Sequence, residues 1–510
     1  MADTSEPQTA AAPQLRNQGA IHDARKRNRT GCLTCRQRKK RCDGVRGTCG
    51  HCSRLNLVCH WQTPQDIITK PRARSSSPTE LYQLDETLSA LSLPILPILP
   101  NPANFLESEY SQSAQRSASR KLALRYYIQT FTPMLTTNLE NNGFLSVLLP
   151  MAIEDKLLLD MLIAWSSSHL SLCDDEHRAR ALEHRSTALN SFASSLSDIY
   201  HSSALLLAGC LVFCSMSAIL GDTTGWHHHL LGAVQIIHNA GSSSPGRDGV
   251  SVMSSSYEGR WLLRNFAYHD ILMSITLDRE PLIPGKYWIP EPRTPIDSYF
   301  GLASEPMALL SKISSLNGEM RRSTSASRSG MSQTPDARSP DPSTLQNLDF
   351  SALARSIEAE LREWKCAEST DLCLVSLGEA YRSAALIYLY RVIRRHIPGT
   401  RAQVDKKIAN QASSVVQQVG NMPMGCLPEC TSLFPLFMAG GETTSRTEML
   451  FIRERLQHLV TYRHFQNAAS ALSILEELWL QHTNFSGLVA GEPLDWIDVL
   501  STRGWKLALS

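Results

Sequence analysis

Cys32-Leu33-Thr34-Cys35-Arg36-Gln37-Arg38-Lys39-Lys40-Arg41-Cys42 is answered, six residues later, by Cys49-Gly50-His51-Cys52-Ser53-Arg54-Leu55-Asn56-Leu57-Val58-Cys59. The two stretches share one pattern, C-x2-C-x6-C, so the segment is a tandem pseudo-repeat of three cysteines. A tetrahedral structural zinc takes four ligands, and a Cys-x2-Cys pair can grip one metal from a single tight turn. Two separate zincs would need eight ligands, and this repeat supplies six cysteines. Two zincs can still be four-coordinate if two thiolates bridge them. The symmetry of the repeat points to Cys32 and Cys49, the first cysteine of each half, as the bridges.

The spacers separate the halves chemically. Between Cys35 and Cys42 stand five cations in six positions, whereas Ser53–Val58 is largely apolar. Residues 21–60 hold eleven Lys/Arg against Asp23 and Asp43, a net of +9 in a chain of +2, so the remainder sums to −7. Six thiolates with two zinc ions carry −2, which leaves the segment strongly cationic. Such a localised patch is the electrostatic footprint of a phosphate-binding surface.

Other readings of the cysteines are weaker. A disulfide framework belongs to an oxidising compartment, and the first thirty residues contain no apolar signal core. A single-zinc ribbon on Cys32, Cys35, Cys49 and Cys52 would leave Cys42 and Cys59 idle. The basic run, like Arg25-Lys26-Arg27-Asn28-Arg29 upstream, also suits nuclear import, which is compatible with DNA contact.

Residues 32–59 resemble the fungal zinc-binuclear-cluster (Zn(II)2Cys6) transcription factor domain in every ligand and in both Cys-x2-Cys pairs. The resemblance implies two structural Zn2+ ions held by Cys32, Cys35, Cys42, Cys49, Cys52 and Cys59. It also implies that the first helix enters the major groove, with Lys39 contacting guanines of a CGG-type triplet beside Lys40. Lys or Arg donating to guanine O6 and N7 is the chemistry such readout needs. Arg36, Arg38, Arg41 and Arg46 would then hold phosphates, which positions the module without specifying sequence. Where the family usually has a proline before its fourth cysteine, this chain reads Arg46-Gly47-Thr48. Glycine turns there too, with less rigidity.

Downstream, the texture is that of an all-α globule. Met449, Ile452, Leu456 and Leu459 recur with helical spacing, as do Leu353, Ile357, Leu361 and Trp364. No sustained period-2 alternation is visible. Gly225–Ala233, Phe266-Ala267-Tyr268-His269-Asp270, Leu433–Gly441 and Leu475-Glu476-Glu477-Leu478-Trp479 resemble the second variety of the fungal-specific regulatory domain that follows such clusters. That resemblance implies a helical regulatory scaffold without catalytic chemistry.

The expected organisation is a disordered tail at 1–24, the zinc module at 25–62, a linker at 63–117 and a helical regulatory domain at 118–510. In the linker, Leu81, Leu84, Leu88 and Leu91 have helical spacing until Pro94, which suits a short amphipathic helix. Two flexible loops are expected inside the domain, at Ser/Gly-rich 242–258 and at 321–345, where thirteen of twenty-five residues are Ser, Thr or Pro. Thr334-Pro335 and Ser339-Pro340 there are either proline-directed phosphorylation sites or part of an inert insertion.

Several features invite chemistry that the residues do not sustain. Ala204–Leu220 is seventeen uncharged residues, at the bottom of the membrane-spanning range, and reads better as a buried central helix. His227-His228-His229 are adjacent on a helix and cannot converge on one ion, so capping or surface duty is expected. Cys210/Cys214 and Cys426/Cys430 read as small buried thiols, and Pro428 breaks any helix through the second pair.

The functional expectation is a nuclear, sequence-specific transcription factor of RNA polymerase II genes. Its partners would be double-stranded DNA and the transcription machinery or co-regulators, with self-pairing a further option and no membrane. Its pathway would be metabolic, drug-tolerance or secondary-metabolite. The competing reading is a zinc-containing nuclear scaffold without specific DNA readout. An enzyme is disfavoured because a metal closed by thiolates leaves no open position, and no H-E-x-x-H, G-x-S-x-G or Walker-type loop occurs.

Overall fold

The computed structural model describes Cys32, Thr34, Cys35, Lys40, Cys42, Asp43, Val45, residues 48–54 and Cys59, then 109–196, 201–242, 246–289, 296–329, 342–397, 399–484 and 495–510. The chain divides into two compact units, residues 1–84 and 85–510. The first contains the cysteine repeat, and its described residues include the short helix Gly50–Arg54. The expected tail at 1–24, the leucines at 81–91 and the two Ser/Thr-Pro sites lie outside the described residues.

The second unit is helical, and among its described residues the single β-type pairing is an isolated bridge between Asp297 and Gly301. The first described helix, Glu109–Tyr126, starts inside the stretch expected to be linker. Helix starts are fixed by short polar side chains: Asp155 accepts from Leu158 N at 3.1 Å, Ser202 from Leu205 N at 3.2 Å, and Asp371 from Cys373 N at 2.9 Å. Asp495 forms a capping box with Asp498. Each such cap contributes about 1 kcal/mol by supplying an acceptor that the first turn lacks.

Ser203–Ile219 is the central helix expected from Ala204–Leu220. It is buried at Leu205 and continuously from Leu207 to Ile219, because neighbours cover it on every side. Helix Trp226–Ser242 packs along it, helices Lys156–Cys173 and Arg178–Ser195 pair nearby, and Leu372–His396 pairs with Arg401–Gly420. By length and composition Leu372–His396 could cross a membrane, but 72% of its apolar window is buried inside the protein. One continuous hydrophobic core runs from Tyr127 to Leu509.

Ile452, Leu456 and Leu459 face that core as their spacing predicts. Leu353 does not: it is 45% exposed, and Ala354 joins Ile357 and Leu361 on the buried face of Pro342–Glu363. The expected loop at 242–258 instead carries helix Gly249–Met253 and the start of helix Tyr257–Thr276. Gly249 there serves close approach, since a Cβ on it would lie 1.6 Å from the Ile237 carbonyl oxygen. Likewise, the 321–345 stretch is entered by helix Ser304–Ser329 and left by a helix that opens on Pro342, where a missing N–H costs nothing.

The histidine triplet also departs from a common surface role. His227 is buried, and its Nε2 accepts from Lys506 Nζ at 2.8 Å, whereas His228 is exposed and His229 stacks on Phe213. Trp226 Nε1 donates to Lys506 O at 2.5 Å, so residues 505–510 are held against this helix. Cys210 and Cys214 are buried thiols as expected, Cys426 and Cys430 are half-buried around a 3-10 turn containing Pro428, and Cys173 is exposed.

Arg391 is one of several buried charges. Its guanidinium pairs with Glu442 and, at 2.6 Å, with Asp495, and it lies 4.8 Å over the Trp496 ring.

Candidate metal centre and nucleic-acid interface

The two halves of the repeat fold alike. Cys35 N points at Cys32 Sγ (3.3 Å) and Cys52 N at Cys49 Sγ (3.4 Å); Cys32 N faces Cys42 Sγ (3.4 Å) and Cys49 N faces Cys59 Sγ (3.3 Å). Each Cys-x2-Cys pair therefore sits in a tight turn that gathers its sulfurs with backbone N–H groups. Lys40 N donates to Cys35 O and Ser53 N to Cys49 O, both at 2.9 Å, and these bonds continue the turns into the spacers.

The six sulfurs form two groups of four, Cys32/Cys35/Cys42/Cys49 and Cys32/Cys49/Cys52/Cys59, each with all members within 4.8 Å of one another. Cys32 and Cys49 belong to both. Cross-half separations are 3.8 Å for Cys32–Cys49 and Cys32–Cys52, 3.6 Å for Cys35–Cys49 and 3.9 Å for Cys35–Cys52. Sulfurs at the corners of a zinc tetrahedron with about 2.3 Å bonds lie about 3.8 Å apart, so this donor set fits zinc. All six are free thiols rather than disulfides. Cys32, Cys35, Cys49 and Cys52 are fully or almost fully buried, while Cys42 and Cys59 reach the surface in part. Burial pushes the Cys35 and Cys52 thiols up to about 12, whereas the Cys52 amide, despite burial, holds Cys49 down to about 6.

Asp43 is the residue that spacing alone did not single out. Its Oδ1 accepts from Val45 N at 3.2 Å and its Oδ2 from Gly50 N at 2.7 Å. The carboxylate thus spans the connection between the halves and caps helix Gly50–Arg54. The available signal was an Asp, a strong N-cap and turn former, directly after a ligand cysteine. Of the basic residues expected at DNA, Lys40 is exposed on the turn that follows Cys35. Arg36, Arg38, Lys39, Arg41 and Arg46 lie outside the described residues.

Residues 30–66 match the fungal Zn(2)-Cys(6) binuclear cluster domain, which includes all six cysteines. Residues 122–510 match the fungal specific transcription factor domain. The chain belongs to this family. It is accordingly a zinc-cluster transcription regulator and not an enzyme, and its six-cysteine module is of the kind that binds two zinc ions.

This zinc-cluster protein is 23% identical to the transcriptional regulatory protein C965.10 of Schizosaccharomyces pombe over 539 aligned residues, 94% of this chain and 96% of that one. It is 24% identical to the transcriptional activator protein UGA3 of Saccharomyces cerevisiae over 292 residues, 48% of this chain and 54% of the relative. The zinc cluster transcription factor CZF1 of Candida albicans is 62% identical over 39 residues, 8% of this chain and 10% of its own. No solved structure matches the chain.

Proposed function

We propose that this protein regulates RNA polymerase II genes in the nucleus by gripping a G·C-rich, CGG-type element with its zinc-held basic segment. The observation that carries the reading is the pair of four-sulfur groups sharing Cys32 and Cys49, with Lys40 exposed on the adjoining turn. In this reading Cys32 and Cys49 would be shared by the two metals, Cys35 and Cys42 would complete one site, and Cys52 and Cys59 would complete the other. Zinc supplies a rigid cross-link that a segment this short cannot obtain from its own core.

The chain's residues then divide the work. Lys39, beside Lys40, donates to guanine edges, while Arg36, Arg38, Arg41 and Arg46 neutralise phosphates and set the register. The helical unit passes a signal to transcription machinery or co-regulators, in control of a metabolic, drug-tolerance or secondary-metabolite pathway.

The test is anisotropy titration of the full chain against a CGG-containing duplex and a scrambled one, at several salt concentrations. The affinity should favour CGG and fall with salt by a log-log slope of about −0.9 per phosphate contacted. Equal affinity for both duplexes would favour a scaffold without base readout.

A further inference from the structure

The helical unit holds a partly open cavity of about 50 Å³ at the point where two of its sequence motifs meet. Tyr268 and His269 of Phe266–Asp270 and Leu433 of Leu433–Gly441 line it. Leu509 and Ser510, in the segment clasped by Trp226 and His227, close one side. Most of the remaining wall is apolar, including Leu135, Phe144, Leu459 and Phe465.

The polar groups in the wall are of two kinds. Some are satisfied by one another. His269 Nε2 meets Ser215 Oγ at 2.9 Å and its Nδ1 meets Ser510 Oγ at 2.7 Å. Asn467 Nδ2 donates to Ser510 O at 3.1 Å. Trp165 and Thr431 are different. They are 2% and 4% exposed, both line the cavity, and neither Trp165 Nε1 nor Thr431 Oγ1 has a hydrogen-bond partner among the described residues. Buried donors are rarely left unpaired, and each such orphan is costly unless something fills it.

The wall also defines the chemistry of an occupant. It contains no Asp, Glu, Lys or Arg side chain, and both nitrogens of His269 are already engaged. An anionic guest would find no cationic side chain there to offset its lost hydration, whereas a neutral acceptor loses far less. One water needs about 10–15 Å³ of such space, so this volume admits a small guest of only a few heavy atoms. A carbonyl oxygen has two lone pairs and can accept from an indole N–H and a hydroxyl at once, while short alkyl groups suit the leucine and phenylalanine wall.

We propose that this cavity is a binding site for a small neutral carbonyl compound, held by hydrogen bonds from Trp165 and Thr431 in an apolar enclosure. The site belongs to the helical unit alone and does not depend on the reading of the zinc module.

Acetone is the probe, and 2-methylpropene, which has its shape without the oxygen, is the control. Titration of the full chain carrying ¹⁵N-labelled tryptophan should shift one indole N–H resonance saturably with acetone, the one that Trp165→Phe removes. Trp165→Phe and Thr431→Val should each weaken acetone, followed by saturation-transfer NMR, about tenfold, while leaving 2-methylpropene binding unchanged. No saturable shift in the unaltered protein would mean that the space holds only water and overturns the proposal. So would acetone binding that neither substitution weakens. A variant that loses both guests has lost its cavity, and the indole titration of the unaltered chain then decides.

Discussion

Asp43 and Gly50 are joined across the connection between the two cysteine triplets by a 2.7 Å hydrogen bond from the Gly50 amide to the Asp43 carboxylate. A Cβ on residue 50 would lie 2.8 Å from that same oxygen, so acceptor and glycine define one tight junction. Asp43→Ala removes the cap and should weaken the module by about 1 kcal/mol. It should release zinc to a chelator several-fold faster than the unaltered chain while still holding two ions at saturation. Gly50→Ala should do the same through the close contact. Zinc release followed with a colorimetric chelator checks both, and unchanged rates would mean that the junction is not structural.

Cys49 belongs to both four-sulfur groups, whereas Cys59 belongs to one. Cys49→Ser should therefore abolish stable binding of both zincs, and Cys59→Ser should lower retention chiefly at one site. Elemental analysis of the dialysed proteins measures this. Two zincs retained by Cys49→Ser would refute its bridging role.

Lys39→Ala should narrow the affinity gap between CGG and scrambled duplexes by about 1–3 kcal/mol. Arg54→Ala, in the exposed last turn of helix Gly50–Arg54, should leave that gap unchanged. Equal losses on both sequences for the two variants would remove Lys39 from base readout.

Stability should fall in mild acid. Burial lowers His269 to about 3 and His169 to about 4, so both stay neutral in the folded chain below the ordinary histidine range. For a base whose folded pKa is depressed, the unfolded chain binds more protons between the two values. Stability is then complete above about pH 6.5 and declines as pH drops towards 4, by about 1.4 kcal/mol per pH unit for each histidine. Denaturant unfolding at pH 7.5, 6.5, 5.5 and 4.5 tests this, and a flat profile above pH 5 would contradict it.

Arg391→Ala should cost about 2–3 kcal/mol, because Asp495 loses its partner and Glu442 keeps only Arg394. Arg391→Met with Glu442→Met should recover part of that loss. Denaturant midpoints of the helical unit report it, and a loss below 1 kcal/mol would show the network to be dispensable.

Why some of this was legible in the residues and some was not follows from range. The metal centre could be read because a zinc tetrahedron constrains ligands close in sequence, and Cys32 to Cys59 carry that constraint in their spacing. The central helix could be read because an uncharged seventeen-residue run at 204–220 is buried from either direction. Leu353 misled because periodicity fixes a stripe only to within one residue, and Ala354 fits more closely against the core. The Ser/Gly composition of 242–258 looked flexible, yet Gly249 is there because a backbone carbonyl of another helix occupies the place of its side chain. His227 and the cavity around Trp165 were out of reach, since Lys506, which meets His227, and Thr431, which lines the same cavity as Trp165, come from hundreds of residues downstream.

Cys173 stands apart from the other thiols. Six of the thirteen cysteines lie in the repeat, and of the remaining seven it alone is exposed. A maleimide fluorophore added to the zinc-loaded protein should therefore attach fastest at one position, on the last turn of helix Lys156–Cys173, ahead of the partly exposed Cys366, Cys373, Cys426 and Cys430. That gives a ready-made optical reporter on the helical unit without altering a single codon.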